Sequence, residues 1–375
     1  MKTVLVTGAE GFIGKNLCAA LSTLKGVEIL TFTRKNSIKE LESSLKKADF
    51  IFHIAGVNRS KDDREFDIGN RGLTETILNI LEKLGKNTPL LVSSSTHATL
   101  ENAYGKSKKA AEDLILEWHE KSKSQVFIYR LTNVFGKWSN PNYNSVVATF
   151  CNNIAHNKPI EISDASHEIT LVYIDTVVKS FIGTFLGEVE LNSSHFYDIT
   201  ETYVITLGNL AQKIKNFHAS RSSLVMPELT TDFDRYIYAA YISYLPADSF
   251  SYDLEKNTDE RGWLAEFIKA KQFGQIFISK TKPGITRGNH WHNTKVEKFL
   301  VVEGEAVITF RKYGSDEIIE YSVSGEKPEV VDIPTGYVHA ITNTGKDTLI
   351  TIFWASEILN QAAPDTIYET VKKGD

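Results

Sequence analysis

The stretch GITRGNHWHNTKVEKFLVVEG, Gly284–Gly304, restricts the fold more than any other part of this chain. It sets His290 and His292 two residues apart and Glu297 five further on, in a run rich in Val, Ile and Phe. Residues two apart on a strand point the same way, so both imidazoles face one side of a sheet. His339 sits in IPTGYVHAITN, where Pro334 and Gly336 make a turn before another short strand. Three imidazoles and a carboxylate suit a divalent transition metal such as zinc, manganese or iron. The alternative is a barrel without metal, whose histidines only hydrogen-bond.

The sequence around this stretch reads as strands: Gly262–Ile268, Gly274–Lys280, Val296–Val302, Ala306–Arg311, Ile318–Val323, Glu329–Ile333, His339–Thr342 and Leu349–Trp354. Short strands at close spacing with Gly and Pro turns predict an all-β barrel or jelly roll. LPADSFSYDLEKNTD, Leu245–Asp259, is polar and turn-rich and reads as a linker. It divides the chain into residues 1–245 and 246–375. A length of 375 residues fits two or three domains at roughly 150 residues each. The net charge of −5 leaves no basic stripe for nucleic acid and no polybasic membrane patch. No apolar run approaches the roughly 20 residues of a membrane span, and Cys18 and Cys151 are too few for a disulfide framework. These features, with no signal-peptide pattern at the N-terminus, predict a cytoplasmic protein.

The first half alternates strands and helices. The apolar run Lys2–Thr7 leads into Gly8-Ala-Glu-Gly11-Phe12-Ile13-Gly14 and then a helical pattern over Lys15–Leu24. Strand, glycine turn and helix let a main chain approach a pyrophosphate, with helix N–H groups and the positive dipole end aimed at it. A second strand, Val27–Thr33, ends at Arg34 and Lys35, where an acidic residue would bind ribose hydroxyls; two cations there predict a 2′-phosphate and hence NADPH. Asp49–Gly56 and Pro89–Ser95 read as further buried strands, and Val126–Gly136 as a fifth. Tyr104 and Lys108 lie four apart at the start of a helix running to about Lys121, on one helical face. A nearby ammonium lowers a phenol's pKa and makes it a usable proton donor or acceptor. Arg130 and Asn133 either touch substrate or tie loops together. Asp175 reads as a helix N-cap.

Three resemblances follow from these residues. The frame Gly284-x5-His290-x-His292-x4-Glu297-x6-Gly304, with Pro334-x-Gly336-x2-His339-x3-Asn343, resembles the two motifs of the cupin barrels. Pro328 stands where the second motif usually opens with Gly. The GxxGxxG spacing and YxxxK resemble the extended short-chain dehydrogenase/reductase family, a Rossmann-like doubly wound parallel sheet. That resemblance implies a cofactor site at Gly8, Gly11, Phe12, Ile13, Gly14, Arg34, Ala55, Gly56, Tyr104 and Lys108. It also implies a catalytic Tyr104, Lys108 and one hydroxyl among Ser94, Ser95 and Thr96, of which Ser95 is favoured. The gap from these hydroxyls to Tyr104 is shorter than in extended members, which reads as a trimmed substrate loop. Over nearly its whole length the chain resembles the bifunctional CapF-type enzymes of capsule and O-antigen synthesis, carried by GAEGFIG, HIAGVNR, NPNYNSVVATFC, DERGWLAEFIK, KPGITRGNHWHNTKVEKFLVV, IIEYSVSGEKPEVVDIPTGYVH and PDTIYE.

That family implies a UDP-linked 2-acetamido-2,6-dideoxy-4-hexulose as substrate. The cupin would epimerise C3 and the reductase reduce the C4 ketone with NADPH, giving a UDP-N-acetyl-6-deoxy-L-talosamine on the route to UDP-N-acetyl-L-fucosamine. His290, His292, Glu297 and His339 are expected to hold one divalent ion, best zinc, since the chemistry needs no redox change. Lys295, Tyr337 and Arg311 stand as alternatives for proton transfer in the cupin; Lys298 is expected on the opposite strand face. A homodimer is expected, because cupin edge strands pair. Two other readings stay open: a simple 4-ketosugar reductase with the cupin used for dimerisation, and a cupin dioxygenase fused to a dehydrogenase.

Overall fold

A computed structural model describes residues 1–254, 257–259, 262–264, 268, 274–357 and 362–372. The chain forms two compact units, one of Met1–Ser145 with Glu168–Ile205, the other of Val146–His167 with Thr206–Asp375. This division by compactness is drawn at other positions than the change in sequence character at 245/246.

The first unit opens with β1 (Lys2–Thr7), α1 (Phe12–Leu21), β2 (Val27–Phe32), α2 (Ile38–Lys47) and β3 (Phe50–His53). Next come α3 (Asp63–Phe66), α4 (Leu73–Lys83), β4 (Leu90–Ser95), α5 (Ala103–Ser122), β5 (Val126–Leu131) and β6 (Asn133–Phe135). The fifth expected strand is thus two strands, interrupted at Thr132. After α6 (Val146–Ala155), which belongs to the second unit, the first unit resumes with β7 (Glu168–Tyr173), α7 (Ile174–Leu186), β8 (Phe196–Tyr197) and β9 (Tyr203–Thr206). Six strands form a parallel sheet in the order β2-β1-β3-β4-β5-β8. The order reverses between β1 and β3, so their carboxyl ends open a crevice, the place where doubly wound sheets bind ligands. Leu5, Ile51, Leu90 and Ile128 from the sheet pack with Leu41, Ile77, Leu81 and Ile115 of the helices into one core.

Asp175 does not cap α7. Tyr173 holds the N-cap position without a side-chain bond, and Asp175 in the first turn pairs with Lys137 at 3.0 Å.

In the second unit α6, α8 (Leu207–Ser223) and α9 (Asp232–Ile242) pack together. The strands that follow are β10 (Ser251–Asp253), β11 (Asn257–Asp259), β12 (Gly262–Leu264), β13 (Gln275–Thr281), β14 (Thr286–Trp291), β15 (Glu297–Glu303), β16 (Glu305–Lys312), β17 (Ile318–Ser324), β18 (Glu329–Ile333), β19 (Tyr337–Asn343), β20 (Leu349–Ala355) and β21 (Ile367–Tyr368). Two antiparallel five-stranded sheets, β10-β18-β15-β20-β13 and β17-β16-β19-β14-β21, make the jelly roll. Part of the strand expected over Gly262–Ile268 lies outside the described residues, as do 255–256 of the expected linker. The rest of that linker is partly structural: Ser251–Asp253 pairs with β18, and Phe250 is fully buried against Phe310 and Tyr337. An aromatic side chain in a polar segment marks where the chain re-enters a core. Among the described residues no helix is long and apolar enough to cross a membrane.

Candidate functional sites

The reductase-like site is built at the ends of β1, β3 and β4. Gly8 follows β1 at φ +70°, and a Cβ there would stand 2.8 Å from the main chain of Ala55. A Cβ at Gly14 would overlap the Gly8 carbonyl. These positions need glycine because two main chains touch, which leaves the loop's N–H groups and the start of α1 open to a phosphate. Beneath the loop Thr7 links it to β3: its hydroxyl bonds His53 Nδ1 at 2.8 Å and accepts from Ala55 N at 3.2 Å. His53 reaches Thr74 at 2.9 Å on its other nitrogen, and burial, with the charge of Lys108, pulls it down to about 3. It is a neutral structural histidine. Arg34 is exposed and, among the described residues, has no partner, whereas Lys35 is paired with Glu10 at 2.8 Å.

Tyr104, Lys108 and Glu112 fall four apart on α5 and share one face. Asn102 caps that helix, accepting from Gly105 N at 2.7 Å. Lys108 is buried and donates to the Ser93 carbonyl at 3.1 Å; burial lowers it to about 8, with the Glu112 carboxylate opposing. Gly56 lies so close that a Cβ would stand 2.8 Å from Asn70 Oδ1 and 3.0 Å from Lys108 Nζ. Asn70 lies inside a π-helical stretch, Asp67–Gly72, where its amide bonds both the N–H and the carbonyl of Val57 and the Ser107 hydroxyl.

The three competing hydroxyls separate clearly. Ser94 is buried and donates to Glu112 at 2.6 Å; Arg130 clasps the same carboxylate at 2.6 and 3.0 Å. Thr96 turns to the Leu131 carbonyl. Ser95 alone meets the Tyr104 phenol. Burial pushes that phenol up and the Ser95 hydroxyl pulls it only partway back, so Tyr104 is a proton donor at neutral pH. The expected lowering by Lys108 is not what dominates. Tyr104 also points at Asn58, 3.5 Å away in a loop whose Arg59 and Tyr143 bond each other's main chain. Asn58 and Glu112 were not singled out from sequence, although the four-residue spacing marks Glu112. Asn133 is tied to Thr170 O at 3.0 Å.

The second site is the candidate metal centre inside the barrel. One donor atom from each of His290, His292, Glu297 and His339 lies within 4.8 Å of the others. All but the half-buried His290 are buried. His290 and His292 face the same way, as strand alternation predicts, with ring centroids 4.8 Å apart. A bulge between Gly288 and His290, with Asn289 at φ +56°, re-aims β14, and Trp291 turns away to pack on Tyr313. Glu297 starts β15 and His339 lies in β19, on the opposite sheet.

Two tests on this geometry favour an ion. His292 Nε2 and His339 Nε2 are buried without a hydrogen-bond partner, a state that costs free energy unless something fills it. They stand 3.4 and 3.5 Å from Glu297 Oε2, too long for good hydrogen bonds. Ligands about 2.0–2.1 Å from a tetrahedral zinc are separated by roughly 3.3–3.4 Å, which matches. Burial and the neighbouring His339 and His292 hold His290 down at about 4, and burial lowers His339. Burial would push the Glu297 carboxyl up, but His292 and His339 keep it well below the usual range. Neutral imidazoles and an ionised carboxylate are the forms that bind metal.

Lys298 does point to the other face, where it bonds Tyr252 at 3.1 Å and pairs with buried Asp332, itself paired with Arg221. Arg311 is also turned away, held by the C-terminal segment. Tyr337 packs on Phe250. Of the residues weighed for proton transfer, Lys295 has its amine beside the cluster, 3.6 Å from Glu297.

Comparison with known proteins covers both halves. Residues 4–185 match the NAD dependent epimerase/dehydratase family and residues 257–367 the Polysaccharide biosynthesis C-terminal domain. The chain is 43% identical over 371 residues, 99% of each protein, to UDP-2-acetamido-2,6-beta-L-arabino-hexul-4-ose reductase of Pseudomonas aeruginosa. It is similar to the crystal structure of the capsular polysaccharide assembling protein CapF from Staphylococcus aureus, with 45% identity, a TM-score of 0.68, and coverage of 98% of this chain and 100% of that one. UDP-glucuronic acid 4-epimerase from Bacillus cereus, in complex with NAD, shares the fold at 18% identity and a TM-score of 0.52, over 58% of this chain and 84% of that one.

Proposed function

Because the chain belongs to the CapF-type family of capsular polysaccharide enzymes, we propose that it carries out two consecutive steps on one nucleotide sugar. The cupin half inverts C3 of a UDP-2-acetamido-2,6-dideoxy-4-hexulose. The reductase half then converts the C4 ketone to an alcohol with NADPH, giving UDP-N-acetyl-6-deoxy-L-talosamine on the route to UDP-N-acetyl-L-fucosamine. The observation that carries this reading is that one chain holds a Ser95–Tyr104–Lys108 site and, separately, a buried cluster of three histidines and a glutamate.

The order is dictated by chemistry. A C3 proton can leave only while the C4 ketone is present to delocalise the carbanion as an enolate, so inversion precedes reduction. Reduction then removes the ketone and fixes C3. A tether between the two halves keeps the reactive keto sugar at high local concentration.

In the reductase half Ser95 orients the C4 oxygen, and Tyr104 gives it the phenolic proton that burial retains. Lys108 holds the ribose next to the reacting carbon, while Arg34 meets the 2′-phosphate. A bound nicotinamide supplies the hydride. In the cupin half His290, His292, Glu297 and His339 would hold zinc, which supplies a positive charge that secures the pocket. The functional division stays at 1–245 and 246–375, and the protein works as a homodimer.

Incubating the keto sugar in deuterated water without NADPH tests the reading. Exchange at C3 is expected. No exchange, with ketone reduction intact, would replace it with a simple reductase whose cupin serves assembly.

A further inference from the structure

The segment around Asp365 reaches the candidate metal cluster, a role that the motif PDTIYE, Pro364–Glu369, does not by itself announce. We infer that residues 365–371 form a strap that aims two of the four metal donors, with Asp365 as the positioning residue. The inference rests on the metal reading above and adds to it the element that shapes the site.

The contacts fall into three sets. First, His292 Nδ1 donates to the Asp365 main-chain carbonyl. An imidazole that donates from Nδ1 keeps its lone pair on Nε2, the atom left without a partner beside Glu297. Second, the Asp365 carboxylate accepts from the N–H groups of Asn293, Thr294 and Lys295 at 2.9, 2.7 and 2.8 Å and from the Thr294 hydroxyl at 3.0 Å. It therefore clamps the loop that runs from His292 to Glu297. Third, Ile367–Tyr368 adds a strand to His290–Trp291, and beyond it Glu369 N and Val371 N bond the main-chain and side-chain oxygens of Asn289 at 2.9 and 3.2 Å. Those bonds lock the bulge that turns His290 inward.

The strap is itself anchored. Buried Arg311 donates to the carbonyls of Val371 and Thr370 at 2.8 and 3.0 Å and pairs with Glu369. Tyr368, 82% exposed, lies edge-on to His290 with ring centroids 6.1 Å apart, so the strap also forms part of the rim.

The test is metal binding by the full-length protein, read without its sugar chemistry. Asp365→Ala and Asp365→Asn are purified metal-free and titrated with zinc against a chromophoric chelator. Cobalt-loaded samples are compared by their visible spectra. Asp365→Ala keeps the main-chain carbonyl but loses the carboxylate that clamps residues 293–295, so His292 and Glu297 are held less firmly. It should bind zinc about 10–100-fold more weakly, the range for disturbing the outer support of metal ligands, and its cobalt spectrum should change. Asp365→Asn, which keeps one acceptor oxygen, should fall between; if Asp365→Ala is insoluble, Asp365→Asn is read alone by both measures. Metal-free variants that melt lower but bind zinc with wild-type affinity and give the wild-type cobalt spectrum would overturn the positioning role. A wild-type protein that binds no divalent ion would instead refute the metal reading itself.

Discussion

At the scale of single residues the reductase site is tuned by burial. Tyr104 stays protonated because its environment disfavours the phenolate, which suits a group that must donate. Tyr104→Phe should slow NADPH oxidation by about 10²- to 10⁴-fold, the range for loss of a general acid, yet leave C3 exchange in deuterated water intact. Oxidation near the wild-type rate would mean that another acid works there. Lys108 loses its charge as pH rises through about 8, because burial lowers it. Reduction should therefore show a basic limb near pH 8. Glu112 props that value up, so Glu112→Gln should move the limb to lower pH; an upward move would refute the assignment. The stability consequence has the opposite sense: below about 8 the folded lysine must be charged in a buried site, and that cost fades between about 8 and its ordinary 10.5. Arg34 tests cofactor choice. A charge-assisted contact with phosphate contributes about 1.5–3 kcal/mol, so Arg34→Ala should raise KM for NADPH roughly ten- to a hundredfold and hardly alter that for NADH. Equal losses for both cofactors would refute its assignment to the 2′-phosphate.

At the scale of elements, both kinds of site were legible in sequence where their signal is local. The strand, glycine turn and helix at Lys2–Leu21 are local, and so is the four-residue repeat of α5; spacing alone exposes both. The four residues of the candidate metal centre stand in two short motifs, which spacing exposes in the same way. What spacing does not show is a partner supplied from far along the chain. The Ser94 hydroxyl resembled Ser95 until Glu112 was seen to occupy it. Asn289 gave no sign of φ +56°, and a tail of mixed polar and apolar residues gave no sign of pairing with β14. The same limit hid the join between α8, β15 and β18, where Asp332 sits with no exposed surface between Lys298 and Arg221. Removing one member of such a group leaves its partners buried and unneutralised, a cost of about 3–5 kcal/mol. Asp332→Ala should lower unfolding stability by that much in a denaturant titration. A change within about 0.5 kcal/mol, typical of surface substitutions, would mean that water reaches both cations.

At the scale of the whole molecule, the homodimer is the expectation to measure. Light scattering at micromolar concentration should give twice the 42.1 kDa chain mass; a monomer would remove dimerisation from every reading of the cupin. The strap has its own consequence at this scale. Asp365 follows His292 by 73 residues, and it lies beyond His339 as well. A ribosome therefore delivers every donor of the metal cluster before it delivers the carbonyl that aims one of them. During synthesis there is an interval in which the growing chain offers metal-binding side chains in a loop still free to move, and closing that loop carries its entropic cost only at the end. Chains halted in that interval would own a complete set of donors without the strap that aims two of them. The candidate centre thus draws on a stretch that arrives after all four of its donors, and its geometry belongs to the folded barrel rather than to its motifs.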